Sequence, residues 1–305
     1  MPSTKQPAES LTIDGIKLSI THPDKILWPE EGYTKADLIN YYRFVAKYIL
    51  PHVKERPQSQ HRYPNGIHGQ SFYKKNMEEA PEWAETFDVP NESEGGNTHY
   101  LICNNEATLV YMANLACIEL NPWNSRTTSL EYPDWIVLDI DPSPTNTFDE
   151  VVETALVIKS VLDKIKVDSY PKTSGATGLH VYIPMGAQYS YEQARMFANI
   201  VAEHAHAQLT RFTSLVRNLK ERGNKIYIDF LQNSKGQTLA SAYSVRPMTW
   251  ATVSTPLRWD EVKPGLLPAH FHIKNVPDRL KKTGDIFKPV LGKGIDLEKC
   301  LSLLG

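Results

Sequence analysis

Cysteine is scarce in this chain. Its 305 residues include only Cys103, Cys117 and Cys300. An odd number of widely spaced cysteines forms neither a disulfide framework nor a Cys-x-x-Cys zinc signature, so a reducing, cytoplasmic setting is expected. Long apolar runs are also missing. None approaches the ~18 residues that span a bilayer, and the polar first ten residues lack an apolar leader core, so no membrane partner is expected. No internal repeat, low-complexity tract or Gly/Ser linker divides the chain. The rest of the composition, 41% hydrophobic and 22% charged, is that of a globular protein. It excludes disordered, collagen-like and coiled-coil classes.

Net charge is small as well, at -2. That figure conceals a strong segregation. Residues 43–75 hold 7 basic residues against 1 acidic, and residues 76–153 hold 1 basic against 16 acidic. Residues 154–305 return to an excess of 21 basic over 12 acidic. A basic surface beside an acidic one therefore stays possible, and near-neutrality does not exclude a nucleic-acid partner.

Patterning predicts the elements. Leu11–Ile20 reads as a hairpin around the turn pair Asp14-Gly15. Thr34–Ile49 reads as a helix capped by Thr34, with Leu38, Tyr42, Val45 and Ile49 at helical spacing. Residues 76–98 read as an acidic surface segment, and Ala107–Leu120 as a buried helix. Trp135–Asp139 reads as a central strand. Helices with capping pairs start at Thr147 and Ser190. Strands are expected at Val167–Tyr170, Leu179–Ile183 and Ile226–Phe230. From residue 135 the order is strand, helix, strand, strand, helix, strand, which is that of a split βαβ unit.

The sharpest chemical feature is Asp139-Ile-Asp141 at the end of an apolar strand. Residues i and i+2 share a face, so the two carboxylates project together and repel unless protonated or bridged by a cation. Hard oxygen ligands suit Mg²⁺ or Mn²⁺. The same pair occurs in nucleotide-sugar transferases and in solvated turns. Asp229, inside the apolar strand Ile226–Phe230, adds a third carboxylate that needs a partner or a metal. Three carboxylates on two strands suit two cations about 4 Å apart, as in phosphoryl transfer. The segment Lys172-Thr-Ser174-Gly175-Ala-Thr-Gly178-Leu-His180 reads as a glycine-bearing loop whose N–H groups can cradle phosphate, though a simple hairpin turn has the same composition. Gln232, Lys235 and Arg246 add phosphate-capable donors. Phe72-Tyr73-Lys74-Lys75 interleaves aromatics with cations, as base-stacking surfaces do.

Together these motifs resemble the polymerase domain of bacterial DNA ligase D and its stand-alone relatives, within the archaeo-eukaryotic primase superfamily. The resemblance runs from about Leu18 to about Gly292. It rests on residues 21–29 (Thr-His-Pro-Asp-Lys-Ile-Leu-Trp-Pro), Arg62-Tyr-Pro-Asn-Gly66, Phe72–Lys75, the segments 134–142 and 172–180, and Asp229–Asn233 followed by Ala242–Pro247. It implies an α+β fold of two closely packed, sheet-containing lobes, the second resembling an RNA-recognition motif. The expected layout is a tail over 1–10, a first lobe over about 11–133, a second over about 134–255, a packing segment to 292 and a tail over 293–305.

The resemblance also implies roles. Asp139, Asp141 and Asp229 match catalytic ligands of two Mn²⁺ or Mg²⁺ ions. Ser174, Gly175, His180 and Arg246 match residues around an incoming nucleoside triphosphate, with Lys172, Gln232 and Asn121 beside them. Asn121 stands where relatives often carry a histidine, which can titrate as Asn121 cannot. Lys25 and Lys35 match a pair that grips a DNA 5′-phosphate. Phe72, Tyr73, Lys75 and Arg62 match template contacts, and Arg222 a primer-positioning loop. The implied activity is template-directed addition of ribo- or deoxyribonucleotides to a primer 3′-hydroxyl in non-homologous end joining. The implied setting is the nucleoid, with DNA ends, a separate ATP-dependent ligase and Ku as partners, since no Lys-x-Asp-Gly ligase motif occurs. Two other readings are a metal-dependent Asp-x-Asp glycosyltransferase and a non-catalytic nucleic-acid-binding module. Neither accounts for Asp229 together with Lys25, Lys35 and the aromatic-basic segment.

Overall fold

The computed structural model describes residues 9–91 and 95–304. Strands β1 (Glu9–Ile13) and β2 (Ile16–Ile20) form the expected hairpin. Asp14 and Gly15 turn it with φ of 50° and 80°, the positive values that a two-residue turn between twisted strands requires. A second hairpin joins β3 (Ile26–Trp28) to β4 (Tyr33–Thr34) and feeds α1 (Lys35–Val53). Thr34 caps α1 in a reciprocal box with Asp37, and the helix runs one turn beyond the expected end.

Next come β5 (Gln58–Arg62), β6 (Phe72–Lys74), β7 (Thr86–Pro90), β8 (Asn97–Leu101), α2 (Glu106–Asn114) and β9 (Cys117–Pro122). The order β6-β5-β9 makes a three-stranded sheet, and β7 with β8 makes a ribbon. The acidic segment 76–98 thus contributes a ribbon strand and the start of its partner; residues 92–94 lie outside the described residues. The helix expected over Ala107–Leu120 is in fact a short helix and a strand. The chain reverses at Ala116, whose φ is 57°, and β9 is buried along its whole length. A segment apolar on every side carries no periodicity to separate helix from strand.

The second sheet is built from β10 (Trp135–Asp141), α3 (Phe148–Lys164), β11 (Tyr170–Thr173), β12 (Leu179–Pro184), α4 (Tyr191–His206), β13 (Thr213–Ser214), α5 (Leu219–Arg222) and β14 (Ile226–Asp229). Its strand order is β11-β12-β10-β14-β13. The first four strands, all antiparallel, have the connectivity of the split βαβ unit, and β13 adds a parallel edge. The strand expected at Val167–Tyr170 begins three residues later, so Lys172 belongs to β11 and not to a loop.

Alternation along β10 divides the molecule. Ile136, Leu138 and Ile140 point into a core shared with α3 and α4. Trp135 and Val137 point into a core built on α1, α2 and the first lobe. Asp139 and Asp141 continue that second face. Residues Ala242, Tyr243, Val245, Ala251 and Val253 bury in the first-lobe core, so the segment after β14 ties the lobes together. Helix α6 (Val276–Thr283) joins the same core through Val276 and Leu280. The segment 293–305, expected as a tail, carries α7 (Leu297–Leu304), which buries Leu297 and Cys300 against the second core. Two apolar residues one turn apart are enough to dock it. Residues 1–8 of the expected N-terminal tail lie outside the described residues. No helix among the described residues is long and apolar enough to cross a membrane.

Candidate active site

One row of side chains crosses four strands. Lys172 on β11 pairs with His180 on β12, His180 with Asp139 on β10, and Asp139 with Asp229 on β14. Directly opposed residues in antiparallel strands share a face, so all four project toward the first lobe. There a cleft of about 450 Å³ opens between the two sheets. Asp139, Asp141, Ser174, His180 and Arg246 line it from one side, and Tyr73, Lys75, Glu119, Asn121 and Ser59 from the other.

The carboxylates repel one another. Burial, reinforced by Asp139, raises the Asp141 carboxyl above its ordinary pKa, with Arg222 opposing from 3.7 Å. Burial and Asp139 likewise raise Asp229. Each acid leans on a separate partner: Asp139 on His180 Nε2 at 3.3 Å, and Asp229 on the Leu231 N–H at 2.7 Å and Gln232 Nε2 at 3.2 Å. Among the described residues no group of three or more histidines, cysteines or acids is gathered at ligand spacing. The all-oxygen donor set of Asp139, Asp141 and Asp229 suits a hard divalent ion. Arg222, expected near a primer end, lies 3.7 Å from Asp141 and covers the Tyr227 ring at 5.0 Å.

The loop after β11 is narrow by construction. Ser174 Oγ accepts from the backbone N–H groups of Ala176 and Gly178 at 3.1 and 3.0 Å. Gly175 has φ of 75°, and a Cβ there would lie 2.7 Å from both Arg246 Cγ and the Ser254 nitrogen. Only glycine fits this approach. It lets Arg246 donate to the Ser174 carbonyl while its Nε donates to Glu119 Oε2 at 2.8 Å.

Glu119 is the functional candidate that sequence reasoning missed. It is buried, and burial alone would raise its pKa, but His61 and Arg246 hold the carboxyl below its ordinary value. His61 stacks on Tyr73 with centroids 4.0 Å apart and planes 16° apart. A continuous chain therefore runs from Arg246 through Glu119 and His61 to Tyr73. The only sequence signal was an acid inside an apolar run, and its partner lies 127 residues away.

The remaining candidates divide by place. Tyr73 is exposed, and Phe72 is exposed beside Arg62, whose guanidinium covers its ring at 5.5 Å. Asn121 is buried at the cleft wall. Gln232 does not reach the cleft and supports Asp229 from beside it. Lys172 lies fully buried on β11, with its Nζ 2.8 Å from His180 Nδ1. Burial pushes the His180 pKa down to about 4, and Lys172 adds to the shift, so the imidazole is neutral near pH 7.

Lys25 and Lys35 form a separate site. The Lys35 N–H donates to the Lys25 carbonyl at 2.8 Å. Among the described residues Lys35 Nζ reaches Thr21 Oγ1 and the Asn114 carbonyl, both at 3.1 Å, and Lys25 Nζ reaches Asn65 Oδ1 at 3.3 Å. Burial, followed by the neighbouring Lys25 charge, lowers the Lys35 pKa to about 8. Among the described residues neither lysine has an ion-pair partner, and both stand beside the N-terminus of α1, where a helix attracts negative charge.

Comparison with known proteins identifies the family. The family described as LigD, primase-polymerase domain, matches residues 34–287. A bifunctional non-homologous end joining protein LigD from Bacillus subtilis is 36% identical over 270 residues, covering 88% of this chain and 43% of that protein. A multifunctional LigD from Mycolicibacterium smegmatis is 31% identical over 277 residues, covering 90% of this chain and 36% of that protein. The chain thus spans less than half the length of these relatives. Among solved structures, the polymerase domain from Mycobacterium tuberculosis Ligase D in complex with DNA superposes with a TM-score of 0.82 at 28% identity, covering 91% of this chain and 99% of that one. These relatives set aside the glycosyltransferase and the non-catalytic module. The chain belongs to the LigD primase-polymerase domain family, whose members are nucleotidyltransferases of DNA repair by end joining.

Proposed function

We propose that this chain adds nucleotides to a primer 3′-hydroxyl at DNA ends and gaps, using two divalent cations. The observation that carries this reading is the placement of Asp139, Asp141 and Asp229 on one sheet face beside the cleft, with raised pKa values on two of them. Asp139 and Asp141 would hold both ions, with Asp229 completing the site toward the primer. Such ions supply Lewis-acid activation of the hydroxyl and charge stabilisation at the leaving pyrophosphate.

The protein's own groups do the rest. Arg246, oriented by Glu119, presents a guanidinium to the triphosphate. The Ser174–Gly178 turn supplies backbone donors at the cleft edge. His180 stays neutral and offers Nε2–H, first to Asp139 and then to a phosphate oxygen. Tyr73, held flat by His61, supplies a stacking platform for a template base. Lys25 and Lys35 hold a 5′-phosphate remote from the chemistry, which places the downstream strand. Ligation, with Ku at the break, would follow.

The test is incorporation of labelled ATP or dATP into a gapped duplex with a downstream 5′-phosphate and Mn²⁺. Extension by a templated nucleotide supports the reading. Absence of extension with either nucleotide, on an enzyme that binds the duplex, contradicts it.

A further inference from the structure

Lys172 is buried with no role in the reading above. Its Nζ lies 2.9 Å from the Ala240 carbonyl, 2.6 Å from Ser254 Oγ and 2.8 Å from His180 Nδ1. The protons on these contacts can be counted. A carbonyl only accepts, so Lys172 donates to Ala240. Ser254 spends its own proton on the Thr173 carbonyl at 2.9 Å, so Lys172 donates there too. On the far side of the ring, His180 Nε2 lies 3.3 Å from Asp139 Oδ1. A carboxylate accepts, so Nε2 carries the hydrogen and Nδ1 offers a lone pair. Lys172 therefore donates a third time. Burial, followed by the Arg246 charge, lowers the Lys172 pKa well below the ordinary lysine value, with Asp139 and Glu119 opposing; in the ammonium form its three protons match the three acceptors around it. The Tyr182 ring face, 5.5 Å away, supports the same charge.

We infer that Lys172 is a positioning residue that locks His180 in its Nε2–H tautomer, so that the imidazole always presents a donor to the anionic side of the cleft. This rests on the nucleotide-transfer reading and deepens it. A tautomer with hydrogen on Nδ1 would turn a lone pair toward Asp139 and toward any phosphate oxygen, and both contacts would become repulsive. The lock is built from backbone and buried groups on β11 and the 240–254 segment, so it is set before nucleotide arrives.

The test is direct. In the nucleotide-free full chain labelled with ¹⁵N-histidine, long-range ¹H–¹⁵N correlations report each tautomer, and the His180 signals are those lost in His180→Asn. The wild-type His180 is expected to carry hydrogen on Nε2 alone. In Lys172→Met the ring is expected to populate the Nδ1–H form, and the nucleotide KM is expected to rise by about tenfold while kcat changes by no more than roughly twofold. A merely structural role would leave the tautomer of the folded fraction unchanged. Wild-type His180 with hydrogen on Nδ1, or Nε2–H retained in Lys172→Met, overturns the inference. If Lys172→Met fails to fold, the wild-type spectrum alone decides. The tautomer is read without any reaction, so failure of the polymerase reading is separately visible.

Discussion

Asp139 and Asp229 stand directly opposite each other on neighbouring antiparallel strands. Like charges in that position destabilise a sheet unless something positive or a proton lies between them. Asp141 adds a third charge two residues along the same face. The fold tolerates this arrangement because the rest of the sheet is anchored on two cores, one on each side.

This repulsion predicts a stability signature. A carboxyl whose folded pKa exceeds its unfolded value costs stability while ionised; the cost is present at neutral pH and disappears as pH falls through the folded value. Asp229→Asn is therefore expected to raise the melting temperature of the cation-free protein at pH 7, by on the order of 2 °C, with the difference shrinking toward pH 4. Gln232 assists, because its Oε1 is buried without a partner among the described residues and can turn to accept from the new amide. Mn²⁺ should stabilise the wild type and stabilise Asp229→Asn less. Thermal melts across pH and cation concentration check both effects.

The lysine pair predicts a different pH dependence. Lys35 has a depressed pKa of about 8, so its charged form costs stability below that pH, and the cost fades as the pH rises above it. Its charge is also what a phosphate would engage. Preference for 5′-phosphorylated over 5′-hydroxyl DNA is expected to decline as pH rises through about 8. Lys25 contributes to the depression, so Lys25→Met should weaken the preference and move its midpoint to higher pH. Competition binding between the two DNA ends at several pH values measures this.

Glu119→Gln should release Arg246 without emptying the site of volume. Loss of one partner of a buried ion pair is expected to lower stability by about 3 kcal/mol or less, since Arg246 is partly exposed. The nucleotide KM should rise at least about tenfold, while binding of 5′-phosphorylated DNA at Lys25 and Lys35 stays near wild type. Steady-state kinetics and DNA titration distinguish this from general unfolding.

Local features of the fold were legible because local chemistry decides them. The Asp14-Gly15 turn, the Thr34, Thr147 and Ser190 caps and the strand at Trp135–Asp139 all appear in the structure. The acids Asp139, Asp141 and Asp229 were legible because a carboxylate in an apolar strand needs a reason. The split at Ala116 was not, since a helix and a strand that are both buried throughout look alike in sequence. Lys172 read as a loop residue because its run of Thr, Ser and Gly resembles a turn. Its partners Ala240 and Ser254 lie 68 and 82 residues away, and only the tertiary fold brings them there. Glu119 escaped notice for the same reason.

In the proposed reaction Asp139 would act by holding cations, not by supporting the fold. Primer extension by Asp139→Asn on a gapped, 5′-phosphorylated duplex with Mn²⁺ tests this most directly, alongside binding of the same duplex. Extension is expected to fall by at least about 10³-fold, with duplex affinity within about threefold of wild type. Extension within about tenfold of wild type would contradict it.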